Sequence, residues 1–256
     1  MSLPRFFYPS PLIADEVVEL PREIANHAGR SLRLRDGDRI VLFSGWGGEF
    51  EAELFFDNGI AKARIETFYA SNRLPHGNIG IAQALPSGDK MDWIIEKNSE
   101  LGVTAIHPIK AERSILQLSG NRLQKRLQRW QAIANSSAEQ CGRNLPLKVT
   151  DLSSLKQFLA QHHYDLLLVC HHENGTKLSD FLNHYRRSIK TDSLPTICLL
   201  IGPEGGWSDN ELDLFAGYVN DHPTKLQRVI WGDRVFRTET AGLALASACL
   251  AILDWN

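Results

Sequence analysis

The chain has 256 residues, 43% of them apolar and 23% charged, with a formal net charge of −2. That composition belongs to an ordinary globular protein with one large domain or two modest ones, and the total charge gives no sign of a nucleic-acid or membrane partner. No run reaches the roughly 18 apolar residues of a membrane span, MSLPRFFYPS is not a secretory signal, and four scattered cysteines without a CxxC pair predict a reduced, cytoplasmic protein.

Short strands are predicted first. Residues 39–43 follow the turn Asp36-Gly37-Asp38, and residues 50–54 alternate apolar and acidic side chains beyond the loop Gly45-Trp46-Gly47-Gly48. Period-two alternation marks a half-buried strand. It returns over 61–68 after the turn Asp57-Asn58-Gly59, which predicts a small barrel or sandwich. Residues 71–77 read as a linker. Beyond it, strands at 79–85, 103–109, 165–170, 196–201 and 226–230 alternate with helices. One helix runs from the N-cap Asp89 to near Gly102, and others lie at 122–140, 152–162, 178–187, 209–218 and 239–253. Such alternation predicts a mainly parallel sheet covered by helices.

Four stretches are candidates for chemistry. In IGPEGGWSDNEL, a glycine turn joins a buried strand to a helix opened by the capping box Ser208 and Glu211. The turn has neither the GxxxxGK[ST] of a phosphate loop nor the GxGxxG of a dinucleotide loop. With Glu204 at its centre and no lysine, it suits a neutral or cationic ligand, or none. WGDRVFRTETA likewise follows a strand and opens a helix apolar on all sides. Such a helix is expected to be buried with its start deep, or else the stretch is a surface loop with capping threonines. The segment 110–148 holds eight basic residues against two acidic ones, with Arg122, Arg126 and Arg129 opposite Leu123, Leu127 and Trp130. That face suits a phosphate backbone, or is simply a solvated helix face. The pairs His162-His163 and His171-His172 lack metal-ligand spacing, so no metal is expected.

Together LPRFF, GDKMDWIIEKNSELGV, AERS, AEQCGR, IGPEGGWSDNE and GDRVFRTETA, in this order over nearly the whole chain, resemble the bacterial 16S ribosomal RNA uridine-N3 methyltransferases of the SPOUT class. Trp231 and Phe236 stand where that family usually has leucine. The resemblance implies an α/β protein. A PUA-like RNA-binding β-barrel over 1–72 precedes a SPOUT α/β methyltransferase domain over 73–256 with a deep trefoil knot, which general rules against threaded chains do not suggest. It also implies a homodimer, 16S ribosomal RNA in the small ribosomal subunit as partner, and S-adenosylmethionine held by three loops. The implied cofactor contacts are His172 and Glu173, beside His171; then Leu200, Ile201, Gly202, Pro203, Glu204, Gly205 and Gly206; then Trp231, Gly232, Val235, Phe236, Arg237, Thr238, Thr240 and Ala241. A sulfonium cation without phosphate agrees with a turn that lacks lysine.

Methylating uracil at N3 requires loss of the N3 proton and stabilisation of charge on O2 and O4. Arg237 is the candidate for that charge, with Arg113 and Arg143 as second candidates supplied by a partner subunit. Glu239 is expected to orient an arginine or accept the proton, and Glu139 is the alternative base. RNA contacts are expected from Arg5, Arg30 and Arg33 of the barrel, and from Arg122, Arg126, Arg129, Glu139 and Gln140. The competing readings are a related SPOUT enzyme with another RNA target, and a non-catalytic ribosome-assembly factor.

Overall fold

A computed structural model describes residues 3–171, 175–189 and 194–255. The chain packs as two compact units, one of Met1–Leu74 with Asn135–Pro146, the other of Pro75–Ala134 with Leu147–Asn256. The segment Asn135–Pro146, expected with the second domain, packs with the first unit, an exchange that no single cut in the sequence represents.

The first unit is built on five strands: β1 (Arg5–Phe7), β2 (Val17–Glu19), β3 (Arg39–Phe43), β4 (Glu49–Asp57) and β5 (Ile60–Tyr69). Their order is β1-β3-β4-β5-β2, with β1 parallel to β3 and the other pairs antiparallel. The alternation read from the sequence sends Ala52, Leu54, Ala63 and Ile65 into the core, while Glu53 and Arg64 pair outside at 3.0 Å. Asn58 and Gly59 both have positive φ (50° and 81°), as the two-residue hairpin turn between β4 and β5 demands. Helix α1 (Arg22–Asn26) runs into a π-helical turn at His27–Ser31. These elements, β1 and β2 are too short to show a period.

The second unit holds β6 (Asn78–Ala84), α2 (Lys90–Glu100), β7 (Ala105–Lys110), α3 (Gly120–Cys141, whose end belongs to the first unit), β8 (Lys148–Val149), β9 (Ser153–Ser154) and α4 (Leu155–Gln161). It continues with β10 (Leu166–Cys170), β11 (Thr176–Lys177), α5 (Leu178–Ser188), β12 (Thr196–Ile201), α6 (Asp209–Asp221), β13 (Leu226–Ile230) and α7 (Thr238–Leu253). All pairings in its sheet are parallel, in the order β11-β13-β10-β12-β6-β7-β8, with β9 also on β7.

The central strands read as unbroken apolar runs because both faces are covered. Ile79, Ile81, Ile197, Leu199 and Ile201 share one core with residues of α2, α5 and α7, whereas Ala82, Ala84, Cys198 and Leu200 join residues of α4 and α6 in another. Helix α7 buries Ala241, Leu245, Ala246, Cys249, Leu250 and Leu253, but Leu243, Ala244 and Ala248 stay half-exposed. It is therefore less enclosed than its composition suggests. Ser208 and Glu211 form the reciprocal capping box expected at the start of α6. Asp89 occupies the N-cap position of α2 but makes no capping bond, since its carboxylate accepts from Arg126 instead.

Candidate active site

The strand order places β13, β10 and β12 side by side, so the loops after their carboxyl ends meet at one edge. Open parallel sheets bind ligands at this edge. A cavity of about 680 Å³ opens there. Cys170 and His171 line it from β10, Ile201–Trp207 from β12, Trp231, Gly232 and Arg234–Thr238 from β13, Lys90 from the first turn of α2 and Arg113 from the loop after β7.

The turn after β12 is held from three sides. Glu204 Oε1 accepts from Ser87 N (3.0 Å), Ser87 Oγ (2.6 Å) and Lys90 Nζ (2.8 Å). Partial burial pushes the Glu204 pKa up, yet the hydrogen bonds from Lys90 and Ser87 outweigh it and bring it down to about 2. Arg113 Nη1 donates to the carbonyls of Gly205 (3.2 Å) and Trp207 (3.1 Å). Thr238 Oγ1 donates to Gly202 O at 2.7 Å and accepts from the buried Gln83 amide at 2.9 Å, which fixes the start of α7 to the turn. Gly206 has φ +67°, where a side chain would be strained. Beneath the turn, Trp207 is 3% exposed, and among the described residues its Nε1–H has no acceptor.

Charged groups ring the same cavity. Lys90 Nζ also forms an ion pair at 3.3 Å with the buried Oε2 of Glu239, a residue outside the cavity lining. The bond to Glu204 raises the Lys90 pKa against the lowering effect of desolvation, and Glu239 adds to the rise. Arg237 Nη1 stands 3.9 Å from Glu239 Oε1 with its side chain 82% exposed. The loop 231–237 is a surface loop, not the enclosed charged segment that the apolar helix suggested; Val235 is 76% exposed and Asp233 and Arg234 face solvent.

Most expected cofactor residues converge here. Ile201, Gly202, Pro203, Glu204, Gly205, Gly206, Trp231, Gly232, Val235, Phe236, Arg237, Thr238 and Ala241 all line the cavity. Leu200 does not: it is a strand residue buried on the opposite core. Thr240 sits within the first turn of α7, outside the lining. His172 and Glu173 lie outside the described residues. The fold also supplies what the turn lacks in sequence, a lysine. Glu204 therefore does not by itself exclude phosphate, because Lys90 neutralises that carboxylate. Sequence reasoning missed Lys90, Ser87, Gln83 and Trp207, although GDK and GW lay inside the quoted motifs.

The remaining candidates fall elsewhere. Arg143 is buried in the first unit, where burial lowers its pKa. Arg5 is not a free RNA-binding cation. It pairs with Glu49 at 2.5 Å, and its second guanidinium nitrogen reaches Asn144. Glu139 accepts the Phe7 N–H at 2.8 Å, and burial raises its pKa. Arg30, Arg33 and Gln140 are exposed. On α3, Arg126 pairs with Asp89 (2.8 Å) and Arg129 with Asp92 (2.6 Å), so the positive face is partly neutralised by α2. Arg122 and Lys125 are exposed beside them, along a second groove of about 570 Å³.

A parallel sheet with glycine-turn ligand loops at its carboxyl edge, joined to a small β unit, defines the class. The chain belongs to a family of RNA methyltransferases: the pattern described as an RNA methyltransferase domain matches residues 72–250, and that of an RNA methyltransferase PUA domain matches residues 20–66. The chain is similar to proteins named ribosomal RNA small subunit methyltransferase E. That of Bacillus subtilis is 32% identical over 236 residues, covering 88% of this chain and 86% of the relative, and that of Synechocystis is 34% identical over 247 residues, covering 94% and 75%. Among solved structures, the Neisseria gonorrhoeae protein of that name, bound to S-adenosyl methionine, superposes with a TM-score of 0.84 at 34% identity. A Legionella pneumophila putative methyltransferase with the same bound cofactor gives 0.86 at 29%. Both comparisons cover 98% of each chain.

Proposed function

We propose that the chain transfers a methyl group from S-adenosylmethionine to N3 of a uridine in 16S ribosomal RNA of the small subunit. The observation that carries this reading is the cavity at the carboxyl edge, whose donors suit this cofactor. The buried Trp207 Nε1–H lacks an acceptor among the described residues, and the turn 202–206 exposes backbone polar groups at close range. A cavity of about 680 Å³ is in the range of small-molecule sites. When bound, the cofactor supplies a methyl group on a sulfonium cation. Around it Arg113 and Thr238 hold the turn in shape, Glu204 ties the turn to Ser87 and Lys90, and the half-buried Phe236 packs against Trp231 on one side.

On this reading residues 1–72 form the RNA-binding domain and 73–256 the methyltransferase domain, with exposed Arg30, Arg33, Arg122 and Lys125 meeting RNA phosphates. The deep trefoil knot and the homodimer of the resembled family belong to the same proposal. The half-exposed apolar side chains of α7 and Trp93 of α2, 40% exposed, support the dimer. The cytoplasm is the expected location. The test is transfer of labelled methyl from S-adenosylmethionine to separated RNA classes. Label entering small-subunit ribosomal RNA supports the reading; label confined to transfer RNA, or absent, overturns it.

A further inference from the structure

Helices α4 and α6 both open with a capping box, but the third helical residue is glutamine in one and glutamate in the other. At α4, Gln157 Oε1 accepts from Ser154 N and from Ser154 Oγ, both at 3.0 Å, so its bonds are wholly local. At α6, Glu211 Oε2 accepts from Ser208 N at 2.9 Å, while Oε1 accepts from Glu112 N at 3.0 Å, 99 residues away in the chain. A side-chain amide has one acceptor oxygen and a carboxylate has two. The cap therefore accounts for only one oxygen of Glu211. The residue is 3% exposed, and a buried carboxylate is costly unless donors meet it. Its second oxygen does something that the glutamine of α4 does not.

Glu112 belongs to the loop after β7, and the next residue, Arg113, lines the cavity and donates to the carbonyls of Gly205 and Trp207. Asn210 Nδ2 adds a second tie between α6 and this loop, donating to the Glu112 carboxylate at 3.2 and 3.3 Å. Strand β6 lies between β12 and β7, so these bonds join the loops of strands that are not neighbours. The approach is close: a Cβ on Gly205 would stand 3.2 Å from Arg113 Cβ. We propose that Glu211 is a positioning residue for the cofactor, its second oxygen fixing the Glu112–Arg113 loop so that Arg113 holds the turn 202–207 in its binding shape before the ligand arrives. Glu211 itself stands outside the cavity lining. The inference rests on the function proposed above and adds to it how the cofactor turn is kept in shape.

A turn with three glycines has many conformations when free, and ordering it at the moment of binding weakens affinity. Ties made within the folded protein order it in advance. Glu204 ties the turn to Ser87 and Lys90, and Glu211 ties it, through Arg113, to the loop after β7. Loss of the second tie should therefore appear in cofactor affinity and not in the rate of the saturated enzyme.

The experiment measures the Kd of S-adenosylmethionine by calorimetry, kcat at saturating cofactor on a small-subunit ribosomal RNA transcript, and Tm, all on the full-length protein. Glu211→Ala removes the cap bond and the loop bond together, and is expected to raise Kd about tenfold with kcat within about twofold of wild type. Glu211→Gln, which keeps one acceptor, should recover part of that affinity. Gln157→Ala removes the matching cap bond at α4. It should lower Tm by about 2–4 °C yet leave Kd within about twofold. Asn210→Ala spares the cap and suits a helix, so it should fold like the wild type and raise Kd about threefold. In a double-mutant cycle, Glu211→Ala added to Arg113→Met should weaken binding by no more than about twofold beyond Arg113→Met alone. A Kd in Glu211→Ala no higher than in Gln157→Ala, full additivity in the cycle, or a fall in kcat with Kd unchanged overturns the inference. Should Glu211→Ala fail to fold, an unchanged Kd in Asn210→Ala overturns it alone. A wild type that binds no S-adenosylmethionine overturns the underlying function instead.

Discussion

At the scale of single residues, the site turns on Glu204 and its partners. Its carboxylate ties the glycine turn to the loop before α2 through Ser87 and Lys90. Glu204→Gln keeps the shape but loses the charge-assisted bond, which is worth roughly 1–2 kcal/mol when intact. The expected outcome is a Kd for S-adenosylmethionine about tenfold higher by calorimetry, with a Tm lower by roughly 2–6 °C from the lost intramolecular bond. Trp207→Phe removes the unpaired Nε1–H while keeping most of the packing against Phe215. A loss of cofactor affinity of roughly fivefold is expected if that N–H serves the ligand, since one hydrogen bond nets about 1 kcal/mol; unchanged affinity would remove it from the site. The glycines, Glu204 and the RTETA stretch were legible in the sequence because their chemistry is local. Lys90 was not, because it meets Glu204 across 114 residues of chain, and no periodicity records such a meeting.

At the scale of elements, capping and strand signals carried well and the shortest pieces did not. The box of Ser208 and Glu211 follows from S-x-x-E spacing alone, and both of its bonds are present. Ser208→Ala should cost about 1 kcal/mol, seen as a Tm lower by roughly 2–4 °C. Because Ser208 follows Trp207, a simultaneous loss of cofactor affinity would show that the cap also holds the ligand turn. The same local reasoning failed at Asp89, where Arg126 from a distant helix captured the carboxylate. It failed again on α3, whose arginine stripe is real but partly engaged by Asp89 and Asp92. A charge run read from sequence counts cations without their tertiary partners. If RNA runs along this helix, Arg122→Ala and Lys125→Ala should each lower the salt slope of RNA binding by about one unit.

At the scale of the whole molecule, the sheet and its two covered faces were legible because buried parallel strands read as apolar runs. The exchange of Asn135–Pro146 into the first unit was not, because it depends on contacts such as Glu139 with Phe7 and Asn144 with Arg5. Of the histidines dismissed as metal ligands, His162 has a structural place instead, joined to Tyr218, and His107 is held in the same way by Thr150 and Tyr164. Burial, with help from nearby cations, lowers both imidazole pKa values to about 4. Below about pH 6.5 the unfolded chain binds protons that the folded one refuses. Stability is therefore full above about pH 6.5 and declines as pH falls towards 4, which a Tm series from pH 7.5 to 4.5 checks. His107→Phe should flatten part of that decline. The decisive measurement for the proposed activity is nucleoside mass spectrometry of small-subunit ribosomal RNA after incubation with the protein and S-adenosylmethionine. One new nucleoside, 3-methyluridine, is expected. A 2′-O-methyl or C-methyl product in its place would contradict the proposed chemistry.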